Sequence, residues 1–317
     1  MNIRPFDEQR TAAEVVVIGA ACLDIKGHAM PGSLAGTSNP GRVRISAGGC
    51  ARNIAENLAR LGTRVALLSV ICQDDFGLAL LKQTERAGVD TDHVLISCDQ
   101  HLASYIALLD GHGKLIYGID DTAAVVALTP EYIEIHATLL RNARMVMLDA
   151  NVALESAEVV LRICAEAGVP VGLDPVAVAP AQRYRTLAGR FALLTPNALE
   201  AEALTGQPVH NPNDGVRAAK WLVAHGTQVA VITLAGAGVA FATGDVSGHV
   251  PALDVEIIDE TGASDALTAT LIYGTLNGLA TDEAVRLGVS AATLTLQTAE
   301  TVRQDLNLES LYAQLVI

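Results

Sequence analysis

Residues 51–62 read Ala51-Arg52-Asn53-Ile54-Ala55-Glu56-Asn57-Leu58-Ala59-Arg60-Leu61-Gly62, and residues 63–70 continue Thr63-Arg64-Val65-Ala66-Leu67-Leu68-Ser69-Val70. The two halves obey different periods. Ile54, Leu58 and Leu61 fall at i, i+4 and i+7, one face of a helix, and Gly62 follows as a stop signal, so the spacing predicts a helix over 51–61. The run 64–70 lacks apolar/polar alternation and reads as a strand covered on both faces, the signature of a parallel sheet. Comparable β-branched runs occur at 14–19, 144–149, 169–174, 191–194 and 229–234, with amphipathic helical segments between them. Strands alternating with helices that cover them predict a doubly wound α/β domain with a mainly parallel sheet.

Composition bounds what that domain can do. A chain of 317 residues that is 50% apolar, 18% charged and 3% aromatic must build its core from Ala, Val, Leu and Ile, which excludes a disordered or low-complexity chain. The 21 Lys and Arg against 35 Asp and Glu leave a formal charge of -14, opposite in sign to the basic footprint of a protein that grips nucleic acid by its phosphates. Long nucleic acid is not an expected partner. A small phosphorylated ligand stays admissible, because charges beyond about 8 Å are largely screened and the local site decides.

Cys22, Cys50, Cys72, Cys98 and Cys164 are scattered singly with no Cys-x-x-Cys pair, which argues against zinc and disulfides and for a reduced, cytoplasmic setting. Residues 1–14 carry Arg4, Asp7, Glu8, Arg10 and Glu14 with no apolar segment between them, and read as no signal peptide. The longest stretch without Asp, Glu, Lys or Arg, 221–244, is long enough to cross a bilayer. It holds His225, Gly226, Gln228, Gly236, Gly238 and Gly244, so it reads as a helix end, two buried strands and a glycine turn, and no membrane partner is expected.

Two segments break the rhythm. Residues 23–46 are rich in Gly, Pro and Ser before the alternating Arg42-Val43-Arg44-Ile45-Ser46, and residues 102–119 form a hairpin around Asp110-Gly111-His112-Gly113. Together they predict a small antiparallel sheet, a lid inserted in one domain that spans 1–317. Its open edges invite pairing, so a homodimer through the lid is expected.

The chemistry concentrates in Ile257-Ile258-Asp259-Glu260-Thr261-Gly262-Ala263-Ser264-Asp265, followed by residues 266–280 without a charge. A strand leads into a small-residue turn that opens a long apolar helix. Unpaired amides at such a start, with the positive end of the dipole, can hold an anion. Asp265 then sits in the first turn beside that anion, placed to act as general base in phosphoryl transfer, or merely complements the dipole. Gly48-Gly49-Cys50-Ala51-Arg52-Asn53 puts bare backbone at a second helix start, where Asn53 either bonds substrate hydroxyls or caps a tight turn. Gly19-Ala20-Ala21-Cys22-Leu23-Asp24 sets an acid just past the first strand, where open α/β sheets bind ligands and where turn residues also gather.

These segments, in this order and spacing, resemble the ribokinase-like (PfkB-type) family of sugar and nucleoside kinases over residues 14–300. Members carry Gly-Gly-x-x-x-Asn in the first third, Asp-Thr-x-Gly-Ala-Gly-Asp in the last third and Asn-x-x-Glu between them, here Asn197-Ala198-Leu199-Glu200. The resemblance implies ATP as phosphate donor, a small sugar or nucleoside as acceptor, Asp265 as the base, and the amides of Gly262, Ala263, Ser264 and Asp265 as the anion hole. It implies that Asn197 and Glu200 place magnesium through water, a reading that sets aside Glu200 as a plain exposed helical acid. Thr233-Leu234-Ala235-Gly236-Ala237-Gly238 resembles the family's nucleotide loop, with Thr233, Gly236 and Gly238 admitting the nucleotide; without the family it is an ordinary glycine turn. A potassium-type cation is often used beside the anion hole, in a loop that would include Asp259.

Within the family, Asn39-Pro40-Gly41-Arg42, the Arg52-Asn53 pair, Ala103 to Asp110, Asp149-Ala150-Asn151 and Leu173-Asp174-Pro175-Val176 imply the 5′-hydroxyl of pseudouridine as acceptor. Asp24, Gly48, Gly49, Asn53 and Asn151 would then lie around the substrate, with Ser104 of the lid near the base. Three residues depart from the pattern: Ser264 replaces the second glycine of Gly-Ala-Gly-Asp, Glu260 a small residue, and Ala235 a common glycine. The Ser264 amide is retained and helical geometry there does not require glycine, so activity is expected to survive. A different acceptor (ribose, inosine, uridine or ketodeoxygluconate) and a catalytically weakened sugar- or nucleoside-binding sensor are the alternatives. A dehydrogenase is disfavoured because residues 19–24 lack the G-x-G-x-x-G spacing.

Overall fold

Val15, Val16, Val17 and Ile18 are all fully buried, as an unbroken apolar run in a covered strand must be. The computed structural model describes residues 13–98, 101–111 and 115–315; the reading of 1–14 as free of a signal peptide and the hairpin tip at His112-Gly113 lie almost wholly outside them. The strands are β1 (Val15–Ile18), β2 (Cys22–Ala29), β3 (Gly41–Gly48), β4 (Val65–Leu68), β5 (Val70–Cys72), β6 (Leu95–Ser97), β7 (Ser104–Leu109), β8 (Leu115–Asp121), β9 (Met145–Asp149), β10 (Val171–Asp174), β11 (Leu193–Leu194), β12 (Val229–Thr233), β13 (Val239–Ala242) and β14 (Ser247–Val250). Eight of them form one sheet in the order β14-β13-β12-β11-β10-β9-β1-β4. From β4 to β12 every pairing is parallel, and β12-β13-β14 closes one edge with antiparallel pairs.

Alternate residues of each strand enter two different cores. Val16, Ile18, Val146, Leu148 and Leu173 pack under the helices Leu154–Ala167, Val178–Tyr184 and Pro212–Ala224. Val15, Val17, Met145, Met147 and Val231 pack under Cys50–Arg60, Ala263–Leu276 and Thr281–Leu296. This is the doubly wound arrangement expected from the sequence. The expected helix over 51–61 is Cys50–Arg60, and 221–244 is indeed a helix end, a strand, a short turn at Ala235–Ala237 and a second strand. Among the described residues no helix is long and apolar enough to cross a membrane.

The run 64–70 is not one strand but two. Fully buried Ser69 donates its hydroxyl to the Gly19 carbonyl at 2.6 Å, which ends β4 and lets β5 leave the large sheet to pair with β6. The segments expected to form the lid make a separate four-stranded sheet ordered β3-β2-β7-β8. Its outer pairs, β2-β3 and β7-β8, are antiparallel as expected; the central pair β2-β7 is parallel, because these strands come from separate insertions and no hairpin joins them.

Candidate active site

Two helix starts meet at the carboxyl ends of the strands. Gly262 caps Ala263–Leu276 in the left-handed conformation (φ 84°), and a Cβ there would lie 1.8 Å from the Thr301 carbonyl oxygen, so only glycine fits. Ala263, Ser264 and Asp265 form the first turn, with Ser264 exposed and Asp265 buried. The other start, Gly49 (φ 93°), opens Cys50–Arg60, and a Cβ on its neighbour Gly48 would lie 2.1 Å from Asp24 Oδ1. The glycine pair thus makes room for the Asp24 carboxylate on β2. Asn53 links the two starts: its Nδ2 donates to Asp265 Oδ2 at 2.8 Å. Asp24, Gly48, Gly49, Asn53 and Gly262 to Asp265 therefore lie together at these two helix starts.

Burial sets the electrostatics. Asp265 is pushed up to about 7, first by desolvation, then by the charges of Asp24 and Asp149, against the opposing Asn53 hydrogen bond. Its Oδ1 is buried with no hydrogen-bond partner. Asp24 is also raised by burial, with the Cys22 thiol, Lys26 and Arg52 opposing. Behind Asn53, fully buried Arg52 donates from Nη1 to Asn53 Oδ1 at 2.6 Å and from Nη2 to Glu56, which in turn accepts from Arg60 at 2.6 and 3.0 Å. With its oxygen held by Arg52, the Asn53 amide can only present N–H to Asp265.

Asp149 ends β9 and accepts backbone N–H bonds from Ala20 at 2.7 Å, Asn151 at 3.0 Å and Ala51 at 3.3 Å, which pins the first loop and the glycine-started helix to the sheet. Burial pushes it up to about 6 despite those bonds. Asn151 accepts from Thr122 Oγ1 at 3.2 Å and so ties the end of the lid to β9.

The two segments expected to bind nucleotide meet each other at the ends of β11 and β12. Asn197 caps Ala198–Thr205 and pairs with Thr233 as an isolated parallel bridge, while the Thr233 N–H reaches the Pro196 carbonyl at 3.0 Å. The turn over 234–238 closes through Leu234 N–H to Gly238 O at 2.8 Å and Gly238 N–H to Ala235 O at 2.9 Å, leaving Ala235, Gly236 and Ala237 exposed. Glu200 is 4% exposed, not the exposed acid its helical position alone would give. A capping box draws it back: Oε2 accepts the Asn197 N–H at 2.9 Å and Oε1 the Asn197 Nδ2 at 2.6 Å. Asp174, at the end of β10, is raised by burial and by the charges of Asp265 and Glu200. Clustered acids with a bare Asp265 Oδ1 suit a hard cation held through water. Among the described residues no group of three or more acidic, His or Cys side chains is placed to hold a metal ion by itself.

Two predicted residues fall elsewhere. Ser104 pairs with Leu23 and Asp121, so it points to the outer face of the lid, whereas Tyr105 shares the Asp24 and Asp120 face. A one-residue offset reverses a strand's faces, and the register with β2 is not visible in a sequence. Asp259 does not stand free for a cation, because the Lys26 ammonium lies 2.5 Å from its Oδ2. Lys26, Arg52, Asp149 and Asp174 were not picked out by sequence reasoning as site residues. Asp149 and Asp174 did carry a signal, an acid closing a continuous apolar run at the strand end that faces ligand.

A buried carboxylate between two glycine-started helices, at the carboxyl ends of a doubly wound sheet, is an arrangement suited to phosphoryl transfer. The pfkB family carbohydrate kinase pattern matches residues 12–306, and the chain belongs to that family and to the kinases of sugars and nucleosides. It is 33% identical over 297 residues to the pseudouridine kinase of Escherichia coli strain K12, covering 93% of this chain and 94% of that one. It is 25% identical over 289 residues to the guanosine-inosine kinase of Exiguobacterium acetylicum, covering 90% and 95%. The structure of Arabidopsis thaliana ribokinase complexed with ribose and ATP shares the fold, with a TM-score of 0.83, 22% identity and 97% and 100% coverage.

Proposed function

We propose that this kinase transfers the γ-phosphate of ATP to the 5′-hydroxyl of pseudouridine. The observation that carries the chemistry is Asp265: a buried carboxylate with one bare oxygen, in the first turn of a helix whose starting amides have no side-chain cap. The acceptor rests on the likeness to the E. coli enzyme together with the Arg52-Asn53 pair.

Asp24 and Asn53 hold the ribose hydroxyls, and closure of the lid excludes water. Asp265 takes the proton of the acceptor hydroxyl as that oxygen attacks the γ-phosphorus in line, and the bond to the β-phosphate oxygen breaks to release ADP. The amides of Gly262 to Asp265 bond the equatorial oxygens of the group in flight. Thr233, Gly236 and Gly238 line the nucleoside and triphosphate, and Asn197 and Glu200 would hold the waters of magnesium. When bound, that ion would neutralise charge growing on the β- and γ-phosphate oxygens.

The test compares ADP release with pseudouridine, uridine, inosine, ribose and ketodeoxygluconate. Pseudouridine is expected to give the highest kcat/KM; a dead response to it beside a live one to another acceptor rejects the acceptor. Asp265→Asn is expected to cut kcat by about 100-fold or more while ATP still binds. Near-normal turnover in that variant would falsify the base assignment.

A further inference from the structure

Lys26 reaches from the lid strand β2 into the loop that opens the catalytic helix. Its side chain is 4% exposed, and its Nζ lies 2.5 Å from Asp259 Oδ2 and 2.6 Å from Thr261 Oγ1. The second carboxylate oxygen of Asp259 accepts the Thr261 N–H at 2.9 Å. Burial pushes the Asp259 carboxyl up, but the bonds from Lys26 and Thr261 outweigh it and hold the group below the usual carboxylate range. The potassium-type ion implied by family resemblance at Asp259 would need this carboxylate as a ligand. The residues present do not fit that ion, because an ammonium already occupies the carboxylate and a second cation at contact distance would be repelled by it.

We propose that the Lys26 ammonium is the built-in monovalent cation of this loop, so that phosphoryl transfer here needs no added potassium. The proposal rests on the kinase reading of Asp265. Thr261 immediately precedes Gly262, so the Lys26 bond to its hydroxyl fixes the approach to the anion hole. Lys26 also stands two residues from Asp24 on the same face of β2, and the ion pair therefore ties the Asp24 face of the lid to the loop that receives the phosphate. Lys26 acts as a positioning residue: it touches neither reacting atom and orders the segment that does.

The experiment replaces the side chain and asks whether salt can stand in for it. At constant ionic strength, the native kinase is expected to turn over at the same rate in potassium, ammonium and choline chloride. Lys26→Ala should lower kcat by on the order of tenfold to a hundredfold in choline chloride, with recovery in ammonium or potassium chloride, because truncation opens a cation-sized space against two oxygens. Lys26→Met fills that space without charge and should not recover in any salt. In parallel, the melting temperature of Lys26→Ala should rise in ammonium or potassium chloride relative to choline chloride, while that of the native protein does not respond. Activation of the native kinase several-fold by potassium, or indifference of Lys26→Ala to the cation in both measurements, would overturn the proposal. Absence of ADP release in every salt with every acceptor would sink the kinase reading alone, and the melting series would still decide the role of Lys26.

Discussion

Asp265 binds its proton more tightly in the folded chain than in an unfolded one, and that single displacement has two measurable sides. A base works only as carboxylate, so with a group pushed up to about 7 the rate should climb with pH below about 7 and level off above it. The stability runs the other way. The ordinary value is 3.8, so the folded state holds a proton that the unfolded state releases; the resulting stability is complete below about 3.8 and is lost as pH rises through about 7. Asp265→Asn keeps an acceptor for Asn53 Nδ2 but carries no charge to bury. The variant should therefore be more stable than the native protein at pH 8, with an advantage about 1–3 kcal/mol larger there than at pH 5. Calorimetric melting of both proteins at the two pH values checks this; an equal difference at both would show that Asp265 does not titrate as assigned. Loss of turnover with gain of stability is the pattern expected where a site stores an unfavourable charge for its chemistry.

The elements differ in how far their residues announced them. Covered strands were legible because burial on both faces leaves continuous apolar runs, and the helix Cys50–Arg60 because Ile54 and Leu58 share its buried face. The glycine-started helices were legible because a positive φ and a close carbonyl leave little choice of residue. What escaped depends on partners distant in the chain: the break at Ser69 needs the Gly19 carbonyl, the outward turn of Ser104 needs the β2 register, and Lys26 and Asp259 lie 233 positions apart. The nucleotide turn shows the same contrast in one residue. Ala235, noted as a departure from glycine, adopts φ 49°, a region that costs an L-residue about 1–2 kcal/mol. Ala235→Gly relieves that strain and gives back part of the gain through a freer unfolded chain, so a net gain of about 0.5–1 kcal/mol is expected in urea unfolding. A midpoint unchanged or lowered would show that the turn is not strained at this residue.

At the scale of the whole molecule, a formal charge of -14 sets copies of the chain against one another, and the lid's outer face carries little of that charge. By register, Val43, Ile45, Ile106, Leu108, Tyr117 and Ile119 all project from that face, and all are exposed, Val43 by 73% and Tyr117 by 69%. Among the described residues at these outward positions of the four strands only Asp121 is charged. A two-fold contact sets one patch against its own copy, so a nearly uncharged apolar patch matches itself where charged ones would clash. The occupant we expect is a second copy of this chain, as the open lid edges also imply. Light scattering in solution should give twice the chain mass for the native protein. Ile106 and Ile119 are register partners on β7 and β8, and the double substitution Ile106→Asp, Ile119→Asp should yield a monomer with unchanged circular dichroism. A native monomer at micromolar concentration, or a double variant that stays dimeric, would remove the lid face from consideration. Because the inner face of the same sheet carries Asp24 and Lys26, dissociation should also raise the KM for the acceptor more than that for ATP, which separates a lid that is braced by its copy from one that closes alone.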